Sequence, residues 1–175
     1  MIIGAVVAHR ELIKKPLMTN KKTRCAEAGM MIRKPVEEVF EAFMNPAITQ
    51  NFWFTKSTGR LEVDKKITWY WDMYNVSTTV VAKEILRDQK ILFEWDNPPR
   101  TVEFNFKELE DESTYVTVSE CGYDKKDDEL IAAIKDATGG FTTVLDGLKA
   151  FLEHRINLNL IADKFPKEVI HHGHN

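Results

Sequence analysis

The sequence predicts an α+β domain in which a curved antiparallel sheet of about six or seven strands wraps around a long C-terminal helix, with two short helices after the first strand. Two observations carry this expectation. Between residues 66 and 121, apolar and polar side chains alternate with period two in segments whose links are too short for parallel crossovers. From residue 141 onward, Phe141, Val144, Leu145, Leu148, Leu152, Ile156 and Leu160 recur at helical spacing, with Asp146, Lys149, Glu153 and Arg155 mostly off that stripe. Such a helix is long enough to lie across a whole sheet.

The elements follow in order. Cys25 to Ile32 reads as a first strand that stops at Arg33-Lys34-Pro35. Pro35 suits the first turn of a helix, in which Val36, Val39, Phe40 and Phe43 form an apolar face. Glu37, Glu38 and Glu41 lie opposite, and the first two favour the positive end of the helix dipole. Asn45-Pro46 ends that helix, and Ala47 to Phe54 is expected to form a second short one that carries Phe52-Trp53-Phe54 inward. In Lys66 to Tyr74, Ile67, Trp69, Trp71 and Met73 share one face. Val76 to Ile85 is a β-branched run, Arg87-Asp88-Gln89 turns it into the strand of Ile91, Phe93 and Trp95, and Asn97-Pro98-Pro99 breaks that strand. Val102, Phe104 and Phe106 alternate in the next strand, and Tyr115 to Cys121 forms the last. Asp124 to Glu129 reads as a loop and Leu130 to Ile134 as one or two helical turns, with the long helix beginning after Gly139-Gly140. Gly147, inside that helix, predicts a close approach to a strand, because glycine costs about 1 kcal/mol against alanine there.

The 175 residues fit one domain, and 43% hydrophobic with 29% charged residues places the chain among proteins that bury a core rather than among disordered ones. The expected division is an N-terminal extension over 1–24, a folded domain over 25–166 and a tail over 167–175. A formal charge of −3 offers no field for a phosphate backbone, so no nucleic-acid partner is expected. The basic group Lys14, Lys15, Lys21, Lys22 and Arg24 reads as part of a solvated, flexible extension, and Met18 is an alternative start. Met1 to Ala8 is apolar but short and lacks a charged leader, and no stretch approaches the ~18 apolar residues of a membrane span. Cys25 and Cys121 form no C-x-x-C pair and read as reduced thiols of a cytoplasmic protein.

No catalytic residue, metal ligand or cofactor is expected. His154 has no partner at ligand spacing, and His171, His172 and His174 read as a solvated terminus. No nucleophile triad or phosphate-cradling glycine loop can be read. Thr142 and Thr143 are expected to begin or cap the long helix. What remains is a set of inward-facing positions: Phe43, Phe52, Phe54, Trp69, Trp71, Phe93, Trp95, Phe104, Phe106, Phe141, Val144 and Leu148. They either fill a solid core or line a concave apolar pocket beneath the helix. Glu120 shares parity with Val116 and Val118, so it either enters that pocket or sits solvated at the strand end; solvation is the simpler reading.

Lys34-Pro35-Val36-Glu37-Glu38-Val39-Phe40, Asn45-Pro46, Phe52-Trp53-Phe54 and Gly139-Gly140-Phe141-Thr142, followed by Leu145-x-x-Leu148-Lys149-x-x-Leu152-Glu153, resemble the bacterial branch of the START-like helix-grip (SRPBCC) superfamily named for the activator of the heat-shock-protein-90 ATPase. The resemblance spans roughly residues 25 to 166. It implies a helix-grip fold and a cavity between sheet and helix that holds a small hydrophobic or aromatic molecule. Two alternatives come with it: a chaperone-associated stress-response domain, and a polyketide cyclase or aromatase, which would need several convergent polar groups in the cavity. Binding is favoured over catalysis. The partners so implied are a small hydrophobic molecule or a chaperone, with the chain a monomer or a homodimer.

Overall fold

The structure is a computed structural model, and it describes residues 24–166; the N-terminal extension, the Met18 alternative and the histidine tail lie outside the described residues. Its elements run β1 (Ala26–Ile32), α1 (Val36–Met44), α2 (Pro46–Thr49), β2 (Lys56–Ser57), β3 (Lys66–Trp71), β4 (Val76–Leu86), β5 (Lys90–Trp95), β6 (Arg100–Glu108), β7 (Thr114–Cys121), α3 (Asp127–His154) and α4 (Leu160–Lys164). The seven strands form one antiparallel sheet in the order β1-β7-β6-β5-β4-β3-β2. Hairpins carry the chain from β3 to β7, and α1 and α2 fill the connection from β1 at one edge of the sheet to β2 at the other. A bulge between Ala82 and Glu84 interrupts the β4–β5 register. Bulges of this kind increase local twist, which helps the sheet curve round α3.

Period-two patterning placed the core correctly. Trp69, Phe93 and Phe104 are almost fully buried on the concave face, beside Val102, Val116 and Val118. From the helices, Val39, Phe40, Leu145, Leu148 and Leu152 close over them. α3 also runs along the β1 edge, where Lys149 Nζ donates to the Met31 carbonyl at 2.8 Å and the Arg33 backbone N–H donates to Glu153 Oε1 at 2.7 Å. Lys149 is therefore half-buried rather than a solvent-side residue, and it fastens the helix to a strand that would otherwise expose an unpaired carbonyl.

Several local expectations are corrected. α3 does not start after Gly139-Gly140. It begins at Asp127 and passes through both glycines, with Asp127, Asp128 and Glu129 in its first turn, where carboxylates suit the dipole. Thr142 and Thr143 are consequently inside the helix, each donating its hydroxyl to the carbonyl four residues back, Thr138 and Gly139. The helix stops at His154 because Arg155 adopts a left-handed conformation (φ 57°). Ile156 is exposed as a result, and Leu160 opens the separate helix α4. The close approach signalled by Gly147 is to the Phe52 backbone in the turn after α2, not to a strand: an added Cβ would lie 3.3 Å from the Phe52 carbonyl oxygen. α2 ends at Thr49 rather than Phe54, after an Asn45 side chain that accepts from the Ala47 N–H at 3.1 Å. β3 ends at Trp71 in a 3-10 turn, which removes Met73 from the strand face, and the two-residue β2 was not expected.

The two cysteines are not thiols. Cys25 and Cys121 form a disulfide across the β1–β7 pair, joining residues 96 apart in sequence. Sequence separation hid the pairing, and the antiparallel register that sets Ala26 opposite Glu120 creates it. A disulfide persists in oxidising surroundings, so the inference from reduced thiols to a cytosol no longer holds. Among the described residues no helix is long and apolar enough to cross a membrane.

Candidate functional site

A pocket of about 380 Å³ opens between the middle of α3 and the β3–β5 side of the sheet. Its inner wall is aromatic. Trp53 comes from the turn after α2, Trp71 and Trp95 from β3 and β5, and Phe141 and Val144 from α3. Trp95 and Phe141 stack with centroids 6.0 Å apart, and Trp53 meets Trp95 edge-on at 6.1 Å, so these rings hold one another in place. Gly140 forms part of the α3 wall, and nothing would lie within 4 Å of a Cβ added there. Gly140 thus leaves room in the pocket rather than starting the helix, while a Cβ at Gly139 would meet Lys164 Nζ at 3.5 Å.

The mouth is framed by the chain that follows α3. Beyond the left-handed Arg155 and Asn159, α4 folds back so that Ile161, Lys164 and Phe165 line the opening together with Tyr74 and Val76. Lys164 Nζ donates to the Gly139 carbonyl at 2.7 Å and to Thr143 Oγ1 at 2.9 Å, while the Tyr74 hydroxyl donates to the Ile161 carbonyl. Burial raises the Tyr74 phenol pKa, which keeps it a donor.

At the opposite end the pocket meets a buried polar group. Glu120 is 1% exposed, against the simpler sequence reading of a solvated strand end. Its Oε1 accepts from Trp95 Nε1 at 2.7 Å and pairs with Arg100 Nη1 at 3.2 Å, and its Oε2 accepts from the Tyr123 hydroxyl at 2.5 Å. Three donors converge on one carboxylate, as a buried charge requires. Arg100 also holds Asp96 through Nε at 3.0 Å and through Nη2. Burial opposes the charge on Arg100, but its hydrogen bond to Asp96 and the charge of Glu120 outweigh it and raise its pKa. Burial and the hydrogen bond to Glu120 together push the Tyr123 phenol well above its ordinary value, so it stays protonated.

The thirteen positions singled out from the sequence fall into two groups. Trp71, Trp95, Glu120, Phe141 and Val144 line the pocket. Phe43, Phe52, Phe54, Trp69, Phe93, Phe104, Phe106 and Leu148 pack instead in the core around it, as in the Phe43–Phe104 contact at 4.6 Å and the Phe54–Trp69 stack at 4.9 Å. Strand parity distinguishes faces but not depth along a face, so it could not separate the groups. Trp53 was visible within Phe52-Trp53-Phe54, whereas Arg100, Tyr74 and the α4 residues carried no periodic signal. Among the described residues no group of three or more histidine, cysteine or carboxylate side chains is placed to hold a metal.

Residues 33–153 match the family described as Activator of Hsp90 ATPase homolog 1-like protein. The chain belongs to that family. No curated protein matches it. Among solved structures, the family member is similar to protein SSP2350 from Staphylococcus saprophyticus, with 29% identity and a TM-score of 0.68 over 77% of this chain and 96% of that one. The Aha1 dimer from Colwellia psychrerythraea gives 12% identity and a TM-score of 0.65 over 75% and 97%. DynU16, from the dynemicin biosynthetic locus, gives 14% and 0.68 over 76% of this chain and 48% of its own. At 12–14% identity, the last two likenesses carry the fold alone.

Proposed function

We propose that this family member binds a small hydrophobic or aromatic molecule in the pocket between α3 and the sheet. One observation carries the reading: at about 380 Å³ the pocket is of ligand size, and its inner wall is of mutually braced indole and phenyl rings, with the Glu120 carboxylate fixed at one end. A cyclase or aromatase would need an available acid or base there. Glu120 instead accepts from Trp95 and Tyr123 and pairs with Arg100, which favours a positioning and structural role. A chaperone contact, suggested by the family's name, would use an exposed surface, and it would be insensitive to filling the pocket.

The test is titration of tryptophan emission with the neutral fluorophore N-phenyl-1-naphthylamine, for which Trp53, Trp71 and Trp95 are the reporters. Saturable binding near 1 μM would require about −8 kcal/mol, which burial of a few hundred square ångströms of apolar surface can supply before association costs. Val144→Phe should abolish the signal while Asp146→Phe, on the exposed side of α3, leaves it unchanged. Equal binding by both variants would place the probe elsewhere, and native mass spectrometry with no retained molecule together with no probe binding would remove the reading.

A further inference from the structure

The polar end of the pocket is a partition rather than a floor. On its other side lies a second concavity of about 550 Å³, lined by Asp96, Asn97, Gly122, Tyr123, Asp124 and Ala133, among others. Arg100, Asp136 and Ala137 border both spaces. The hydrogen-bonded set that fixes Glu120 crosses the partition: Glu120 faces the inner pocket, Tyr123 faces the outer cleft, and Arg100 faces both. The two chambers differ in chemistry. The inner one is walled mainly by rings, while the outer one presents carboxylates, the Asn97 amide, the Lys125 ammonium and backbone groups of the β5–β6 turn and the segment between β7 and α3.

The geometry points to a two-part site whose ligand is amphipathic, with an apolar ring body in the inner pocket and a polar head bearing hydrogen-bond donors in the outer cleft, passing the partition beside Arg100 and Asp136. This rests on the inner pocket being a binding site and adds the class of molecule that would fill it. The acceptors Asp124, Asp136 and Asn97 Oδ1 suit hydroxyl or amine donors. Arg100, already shared between Asp96 and Glu120, separates the two halves and has N–H donors beyond those bonds for an acceptor on the linking atoms. Ala133 and Gly140 then govern the two chambers independently, since Ala133 lines the outer space alone and Gly140 the inner space alone.

The experiment compares two probes on the full chain by isothermal titration: 2-ethylnaphthalene, which has the ring body only, and 2-(2-naphthyl)ethanol carrying a further ethanolamine arm. The armed probe should bind about tenfold more tightly, the effect of one or two added hydrogen bonds. Ala133→Trp should cancel that increment without changing the affinity for 2-ethylnaphthalene, and Gly140→Leu should weaken both probes. Circular dichroism melts of both variants verify that they fold. Equal affinity of the two probes, or an increment that survives Ala133→Trp in a folded protein, overturns the two-part site while leaving the inner pocket standing. Binding of neither probe overturns the pocket and the two-part site together.

Discussion

Removing the Glu120 carboxylate is the sharpest perturbation the structure offers. Glu120→Ala strands the Trp95 indole N–H and the Tyr123 hydroxyl in a buried site and leaves Arg100 with Asp96 alone. Each hydrogen bond to a charged group contributes about 1.5 to 3 kcal/mol, but the three donors share one acceptor and their losses do not add. Breaking a buried pair from one side costs about 3 to 5 kcal/mol, and that is the expected loss for Glu120→Ala. Because domains of this kind are stable by only about 5 to 15 kcal/mol, the variant should be plainly destabilised yet often still folded. Glu120→Gln keeps an oxygen for Trp95 and Arg100 while its amide faces the Tyr123 hydroxyl, which can turn to accept; the expected loss is about 1 to 2 kcal/mol. Urea unfolding at neutral pH, followed by far-ultraviolet circular dichroism and with an unchanged m-value, measures both. In a double-mutant cycle Glu120→Ala and Arg100→Ala should couple by about 0.5 to 3 kcal/mol. A loss below about 1 kcal/mol for Glu120→Ala would mean that the carboxylate is solvated after all. The buried polar partition would then not exist.

Three further outcomes are expected. Gly140→Ala should stabilise the protein by about 0.5 to 1 kcal/mol because its Cβ meets open space, whereas Gly147→Ala should destabilise it because the added atom lies 3.2 Å from Phe52 Cβ and 3.3 Å from the Phe52 carbonyl oxygen; thermal melts with the opposite order would refute the helix placement. Burial alone would raise the Glu153 pKa, but the Arg33 backbone N–H and the Lys149 ammonium outweigh it and hold the carboxyl below its ordinary range. Its contribution is therefore complete above the ordinary glutamate pKa and is lost as pH falls through the lowered folded value, so Glu153→Gln should flatten the acid limb of the stability profile and cost about 1 to 3 kcal/mol at neutral pH. Reduction of the Cys25–Cys121 disulfide, or Cys25→Ser, should cost about 2 to 5 kcal/mol, given the 96-residue separation that it closes; an unchanged melting temperature in dithiothreitol would show that the pair contributes nothing.

What the sequence determined by itself is whatever depends on periodicity. Alternation in Ile67, Trp69, Ile91, Phe93, Val102 and Phe104 set the concave face of the sheet, and the stripe Phe141, Val144, Leu145, Leu148 and Leu152 set the buried face of α3, because solvent exclusion acts on every repeat of a regular element. Tertiary structure alone decided where regularity fails or distant segments meet. Gly139-Gly140 reads as a helix start because intrinsic propensity disfavours glycine, yet the flanking turns carry α3 through both and the missing side chain of Gly140 becomes pocket space. Register, not spacing, brought Cys25 to Cys121. The polar partition assembles Trp95 from β5, Arg100 from β6, Glu120 from β7 and Tyr123 from the segment beyond it, and α4 returns Lys164 to the Gly139 carbonyl. Parity turned Trp95 inward and gave Glu120 the phase of Val116 and Val118, but Arg100, Tyr123 and Lys164 follow no period, so only the folded chain, by placing four separate backbone segments within hydrogen-bonding distance, could show that Glu120 is buried, paired and at the boundary between two chambers.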